Sequence, residues 1–398
     1  MFKSLEIKKS GLEKLKGERG ELYKSDVEGQ VKSLTPGEWI LLRDTQKKRV
    51  FLAFANPLIE DRLPAIHVLF KLTSAPKVDV VEEYLAKKLR EAWERRLSFA
   101  GYREGCRVVF GQADGLPGLI VDAYAECALI QINTAGMDRW RSYLREQLEL
   151  LLGRPCHFLD NPTQRSREVL PHHREALPFE NLLVHENGFR YFIPSKNLQK
   201  IGWYYDHREN RLKFENALRR WQGAKETGVD LFCYGGAWGL HGLRGGIKHM
   251  DFVDQAPLDS MVGEHITANQ FSGRGAFQRA DVFDWLDKKI TQNQRYDVVI
   301  SDPPAFAKTP KERSSALDGY RKLHRKVIKI SNPNALIAFA SCTHYVEHEA
   351  FVETITHAAH QENRSIQILE TGMQGWDHPV ASLDDRSNYI KYTLVRVE

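Results

Sequence analysis

Residues 296–308, Tyr-Asp-Val-Val-Ile-Ser-Asp-Pro-Pro-Ala-Phe-Ala-Lys, decide how the C-terminal half of this chain reads. The short, largely β-branched run suits a strand buried on both faces. Asp302, Pro303 and Pro304 end it abruptly and hold an extended loop at its C-terminal edge. Similar runs flank it: VDLFCY (229–234), HMDFVD (249–254) and FQRAD (277–281) before, ALIAFAS (335–341), SIQILE (365–370) and YIKYTLVRV (389–397) after. The stretches between them are mostly long enough for a helix. This alternation predicts a doubly wound α/β domain over 186–398, a parallel sheet of seven strands that ends in an antiparallel edge hairpin.

Two further segments precede it. Residues 1–74 read as a small β-rich unit, with strands in LTPGEWILLRD (34–44), RVFLAFANPLI (49–59) and IHVLFKL (66–72) and a polar turn at Thr45–Lys48. Residues 75–185 read as a central α+β domain. It opens with VEEYLAKKLREAWERRLSF (81–99), where Leu85, Leu89, Ala92, Trp93 and Leu97 share one helical face. Strand-like CRVVFGQ, GLIVDAY and CALIQI follow, punctuated by ADGLPGL (113–119), and then an amphipathic stretch at 138–153.

With 398 residues, 42% of them hydrophobic and 27% charged, the chain has more than one domain and is not disordered. The five cysteines (Cys106, Cys127, Cys156, Cys233, Cys342) contain no CxxC. That argues against a disulfide framework or a four-cysteine zinc site and fits a reducing cytoplasm. No apolar run approaches the roughly 18 residues of a membrane span, and the first twenty residues lack a signal-like apolar stretch. A net charge of +5 points only faintly to an acidic partner. Locally it is sharper: over 86–107, Lys87, Lys88, Arg90, Arg95, Arg96, Arg103 and Arg107 outnumber Glu91, Glu94 and Glu104. That surplus is either a phosphate-tracking surface or a solvated helix face.

The first strand of the α/β domain runs into Tyr234-Gly235-Gly236-Ala-Trp-Gly239. Glycines there allow close backbone approach to a ligand, or merely close packing. Asp254 ends the second strand at the distance from which an acid reaches ribose hydroxyls. Asp281, placed at the end of the third, could hold the amino edge of an adenine. The dinucleotide spacing GxGxxG and the phosphate loop GxxxxGK[ST] are both missing, which leaves adenosine without a pyrophosphate: S-adenosylmethionine. The loop Asp302-Pro303-Pro304-Ala-Phe306 offers an acceptor and an aromatic ring to a planar base. Cys342, ending the next strand in Ala-Ser-Cys-Thr-His, faces the same edge. It is either a buried hydrophobe or a nucleophile that activates cytosine C5 by adding at C6, with Asp302 supplying a carboxyl near N3.

These residues resemble the RlmI-type class I methyltransferases, which form 5-methylcytosine in 23S ribosomal RNA. The likeness rests on DLFCYGGAWGLHGL, SDPPAFAK and ASCTH, and on Gly202-Trp-Tyr-Tyr-Asp206-His-Arg208-Glu-Asn210-Arg211, similar to the family's GFYLDQRENR. FGQADGLPGLIVDAY and Asp377-His378-Pro379-Val380 add to it, and about 103–398 is covered. The resemblance implies an N-terminal PUA domain, a central domain and a Rossmann-like methyltransferase domain. It implies cofactor contacts at Asp206, Arg208, Asn210, Tyr234, Gly235, Gly236, Asp254, Asp281 and Asp302, a substrate base against Pro303, Pro304 and Phe306, and Cys342 as nucleophile. The implied partner is RNA, with no membrane and with homodimer formation left open. The chain departs from the family at CYGGAWG (usually CYTGGFS) and at Gln199-Lys200-Ile201-Gly202 (usually QKTG), and its first 75 residues match a PUA pattern only loosely.

Three rivals remain. One is a methyltransferase acting on another base, such as guanine N7, without a cysteine nucleophile. Another is an RNA-binding module that has lost catalysis. The third is a zinc hydrolase, since His344-Tyr-Val-Glu347-His348 fits HxxEH. In the cytosine-C5 mechanism the proton acceptor stays open among Asp302, His344 and a water.

Overall fold

The computed structural model describes residues 2–15, 19–44, 46, 48–74, 76–173, 175–198, 202–380 and 387–398. The chain forms two compact units, 1–180 with 195–203, and 181–194 with 204–398.

The first unit holds two sheets. Six strands align in the order Gly20–Leu22, Ile66–Leu72, Arg49–Ala55, Glu38–Asp44, Lys3–Ile7, Val27–Glu28. Four more align as Cys156–Phe158, Ala128–Ile132, Leu119–Ala123, Cys106–Phe110. The helix Val80–Leu97 forms where the apolar spacing places it. Its Leu85 and Leu89 share one core with Trp39 and Phe54 of the first sheet and Val108 and Ile130 of the second. The first two segments of the sequence are thus one packed body.

The basic surplus at 86–107 is divided: Lys87, Arg90, Arg95 and Arg103 are exposed, Lys88 and Arg107 half-buried and Arg96 buried, so part of it is committed to internal ion pairs. Arg96 is buried, with Nη1 and Nη2 each 2.7 Å from the carboxylate of Asp114, and Arg95 reaches the same group at 2.7 Å. Arg107 grips Asp122 at 2.8 and 2.9 Å. Two-pronged pairs of this kind are structural; counting charges along a sequence cannot see an acid 15 or 18 residues away. Asp114, bound also by the amide of Phe110 at 2.7 Å, anchors the 113–119 turn.

The second unit is built on a seven-stranded sheet: β1 (Thr227–Leu231), β2 (His249–Asp254), β3 (Gly275–Arg279), β4 (Tyr296–Ser301), β5 (Ser331–Ser341), β6 (Ile366–Gly372) and β7 (Lys391–Val397). Its order is β3-β2-β1-β4-β5-β7-β6. The first five strands are mutually parallel, and β7 inserts antiparallel between β5 and β6. Helices α1 (Arg208–Arg220), α2 (Ala237–Arg244), α3 (Asp259–Ala268), α4 (Val282–Thr291), α5 (Arg313–Lys329) and α6 (His348–Gln361) complete the winding. Asp297 ties the start of the sheet together, accepting from the amides of Glu226 (2.9 Å) and Thr227 (3.2 Å) and from the Asn332 amide (2.8 Å).

Strand order reverses between β1 and β4, so the crevice suited to a ligand opens at their C-terminal ends. Among the described residues no helix is long and apolar enough to cross a membrane.

Candidate functional site

At the reversal point β1 ends earlier than the sequence suggests. Phe232 and Tyr234 take positive φ (61° and 46°), as does Gly236 (74°) before α2. Positive φ in two aromatic residues is strained backbone, and such strain gathers at functional sites. Gly239 answers the packing reading: a Cβ there would lie 2.2 Å from the Phe252 ring of β2. Gly235 presents its carbonyl to His265 Nδ1 at 2.8 Å.

The acids that gather at this edge are held in different ways. Asp254 accepts from the amides of Tyr234 (3.1 Å) and Ala256 (2.9 Å), so its carboxylate is fixed at the mouth of the loop. Asp230, fully buried, accepts from the Gly239 amide at 2.8 Å, and its other oxygen has no partner. Burial, with Asp302 and Asp254 nearby, pushes its carboxyl up to about 8. Ser301 Oγ, at the end of β4, is also buried without a partner.

Asp302 accepts from Trp238 Nε1 at 2.9 Å and stands 3.6 Å from His207 Nε2. Trp238 stacks on Tyr392 (5.7 Å between ring centroids, 23°), with His207 tilted against it at 5.5 Å. Neither Trp238 nor His207 was singled out from the sequence. Both stand in the motifs quoted for the resemblance, at positions where the family's pattern has Phe and Gln. A family pattern draws attention away from such departures.

The other expected residues divide. Asp206 is buried and accepts from the Tyr389 hydroxyl at 2.8 Å, and its carbonyl takes the Gly375 amide, which secures the segment leading to Asp377 and His378. Arg208 is buried with its guanidinium over the Tyr205 ring at 4.6 Å. Asn210 spends its amide on the Met373 carbonyl (3.0 Å) and His207 Nδ1 (3.3 Å), an anchoring role between α1 and the end of β6. Asp281 does not end β3. It caps α4, accepting from the amides of Phe283 (2.9 Å) and Asp284 (3.2 Å), because an Asp before an amphipathic run is a strong N-cap. Of Gln199-Lys200-Ile201-Gly202, the first three lie outside the described residues, as do Thr45 and Lys47 of the 45–48 turn.

Pro303 is buried and Pro304 exposed. Phe306 turns inward instead of outward, its ring 4.7 Å from Tyr320. Its amide donates to Thr343 Oγ1 at 3.2 Å, which ties the Asp-Pro-Pro loop directly to the turn that carries Cys342. The Tyr320 hydroxyl bonds the hydroxyls on both sides of Cys342, Ser341 Oγ at 2.8 Å and Thr343 Oγ1 at 2.6 Å. Cys342 is half-buried, whereas the other four cysteines are buried. His344 stacks on Tyr389 at 4.8 Å.

Glu347 directly precedes α6, which begins only at His348, and its carboxylate pairs with Arg313 instead of capping the helix. His344 and His348 therefore do not share a helical turn. No metal-sized group of His, Cys, Asp and Glu occurs among the described residues.

No family model matches the chain. Curated relatives match most of it. A ribosomal RNA large subunit methyltransferase I from Aeromonas salmonicida is 29% identical over 320 residues, 78% of either chain. Its namesake from Serratia proteamaculans is 27% identical over 93% of this chain and 92% of its own. A ribosomal RNA large subunit methyltransferase from Deinococcus radiodurans is 27% identical over 95% and 93%. The resemblance read from the motifs thus extends along nearly the whole chain. A structure described as a SAM-dependent methyltransferase from Streptococcus mutans superposes over the full length of both chains with TM-score 0.76 at 20% identity. A methyltransferase structure complexed with SAH does so with TM-score 0.77 at 20% identity. At that identity the likeness is one of fold.

Proposed function

We propose that this chain is an S-adenosylmethionine-dependent ribosomal RNA methyltransferase that forms 5-methylcytosine in 23S rRNA. In this reading Cys342 is the nucleophile and Asp302 the acid that orients the base. The observation that carries it is the bond from the Phe306 amide to Thr343 Oγ1. It joins the Asp302-Pro303-Pro304 loop to the Cys342 turn at the edge where the strand order reverses. A methyltransferase acting on a purine nitrogen has no use for a half-buried thiol held in that place.

The residues present fit the cofactor. Asp254, its carboxylate fixed by two loop amides, has lone pairs left for ribose hydroxyls. The buried unpartnered oxygens of Asp230 and Ser301 lie at the same strand ends. Asp206, Arg208, Tyr234, Gly235 and Gly236 would complete the cradle, with Asn210 and Asp281 supporting it through the bonds described above. When bound, S-adenosylmethionine supplies a methyl group on a positively charged sulfur for C5 to take. The Cys342 thiolate adds to C6 of cytosine and makes C5 enamine-like. Asp302, held by Trp238, meets the N3 side of the ring. After methylation a base (Asp302, His344 or a water) takes the C5 proton, the C5=C6 double bond re-forms as the Sγ–C6 bond breaks, and the sulfur departs as the thiolate that began the cycle.

Residues 1–74 act as the PUA-like RNA-binding domain and 75–185 as the central domain in this reading. Its direct test is bisulfite sequencing of 23S rRNA from a strain lacking the protein. One cytosine should become fully convertible and regain protection on re-expression. If every protected cytosine stays protected, the assignment fails. The cofactor assignment has its own test: Asp254→Ala, which removes charged hydrogen bonds worth about 1.5–3 kcal/mol each, should weaken S-adenosylmethionine binding about ten- to hundredfold by calorimetry.

A further inference from the structure

β7 runs antiparallel to β5 with Lys391 in register opposite Ser341. Its first residue therefore reaches the same sheet edge as Cys342. The Lys391 side chain is buried (4% exposed). Its ammonium donates to the carbonyl oxygen of Thr343, the residue after Cys342, and to that of Tyr389 at 3.0 Å. An ammonium carries three N–H groups, and these two carbonyls occupy two.

A buried cation resting on carbonyl dipoles alone is costly. The groups that face it electrostatically are Cys342, Glu347 and His348. Glu347 already has a cation of its own, Arg313, at 3.0 and 2.5 Å. His348 is an imidazole held below its ordinary range by its own burial, which favours its neutral form, and it supplies no anion. Cys342 is the other group facing Lys391 that is able to become an anion. Burial pushes Lys391 down to about 8, against the opposing pull of Cys342 and Glu347, so it remains mostly charged at neutral pH.

We propose that Lys391 is a positioning residue for Cys342: its buried ammonium stabilises the thiolate and, through the Thr343 carbonyl, fixes the turn on which the thiol stands. Tyr320 braces the same turn from the opposite side through Ser341 and Thr343. The inference rests on Cys342 being the nucleophile, yet it concerns a property of the thiol that is measurable without RNA. An opposite charge within about 4–6 Å moves a titration by about 1–3 units.

The test is the pH profile of Cys342 alkylation by iodoacetamide, followed by peptide mass spectrometry on the full chain. The four buried cysteines serve as internal controls. Lys391→Met should move the Cys342 midpoint up by at least about one pH unit, which means about tenfold slower alkylation at pH 7. Lys391→Arg, which keeps the charge, should stay close to wild type. Lys391→Gln keeps a donor for the carbonyls and loses the charge, so it should shift as Met does even if Met disturbs the sheet edge. S-adenosylmethionine affinity within about twofold of wild type reports an intact fold.

A wild-type profile in the Met and Gln variants overturns the proposal. The nucleophile reading is judged separately, by RNA methylation in Cys342 variants.

Discussion

Cys342→Ala is expected to lose at least about 10³-fold in methyl transfer to RNA, about 4 kcal/mol of transition-state stabilisation, while S-adenosylmethionine binds within about twofold of wild type. Cytosine C5 is a poor nucleophile until a group adds at C6, so deleting the thiol removes the step that makes transfer feasible. The split between lost turnover and kept binding is essential, because a variant that merely unfolds would lose both. Cys342 is half-buried at a strand end and its neighbours Ser341 and Thr343 are held by Tyr320, so removing one sulfur leaves the turn braced. A Cys342→Ala enzyme that methylates at the wild-type rate would eliminate covalent activation and favour a base whose nitrogen attacks directly. Measuring single-turnover transfer of labelled methyl to rRNA decides it.

The α/β domain was legible in the sequence because each strand of a parallel sheet is apolar on both faces, so its run stands out without alternation. HMDFVD and YDVVIS coincide with β2 and β4 to the residue. Ends were less legible. β1 stops at Leu231 because Phe232 turns into positive φ, for which an aromatic residue gives no local warning. Asp281 looked like a strand end, but the helix behind it recruited it as a cap.

At the site, legibility followed chemistry. Asp254, Asp302 and Cys342 announce themselves by residue type at a strand end. Lys391, Tyr320 and Trp238 do not: each lies in an apolar or helical run and becomes part of the site only through a partner far away in sequence. Lys391 is 48 residues from Thr343, and Trp238 is 64 from Asp302. One signal was available for Lys391, a charged residue inside the run YIKYTLVRV, where burial on both faces would oblige it to find acceptors.

The same reasoning about buried charge gives Asp230 the second large effect. Its carboxyl has an ordinary value of 3.8 and is pushed up to about 8 by burial, with Asp302 and Asp254 adding to the shift. An acid whose folded-state value is raised holds its proton more tightly when folded. Its contribution is fully present below 3.8 and is lost as pH rises toward about 8, at up to about 1.4 kcal/mol per pH unit. Lys391 does not obscure this. It is lowered from 10.5 to about 8, so its contribution is present above 10.5 and is lost as pH falls to about 8, a window that lies above that of Asp230.

Asp230→Asn keeps an oxygen for the Gly239 amide and cannot ionise. The variant should therefore gain on wild type as pH rises from 5 to 8, by several kcal/mol over that span, read as diverging urea midpoints. A gap between the two proteins that stays constant from pH 5 to 8 would mean that Asp230 is ionised at neutral pH. Asp230 would then stand beside Asp254 and Asp302 as a charged carboxylate instead of a neutral carboxyl, and a cationic cofactor would meet a different field there.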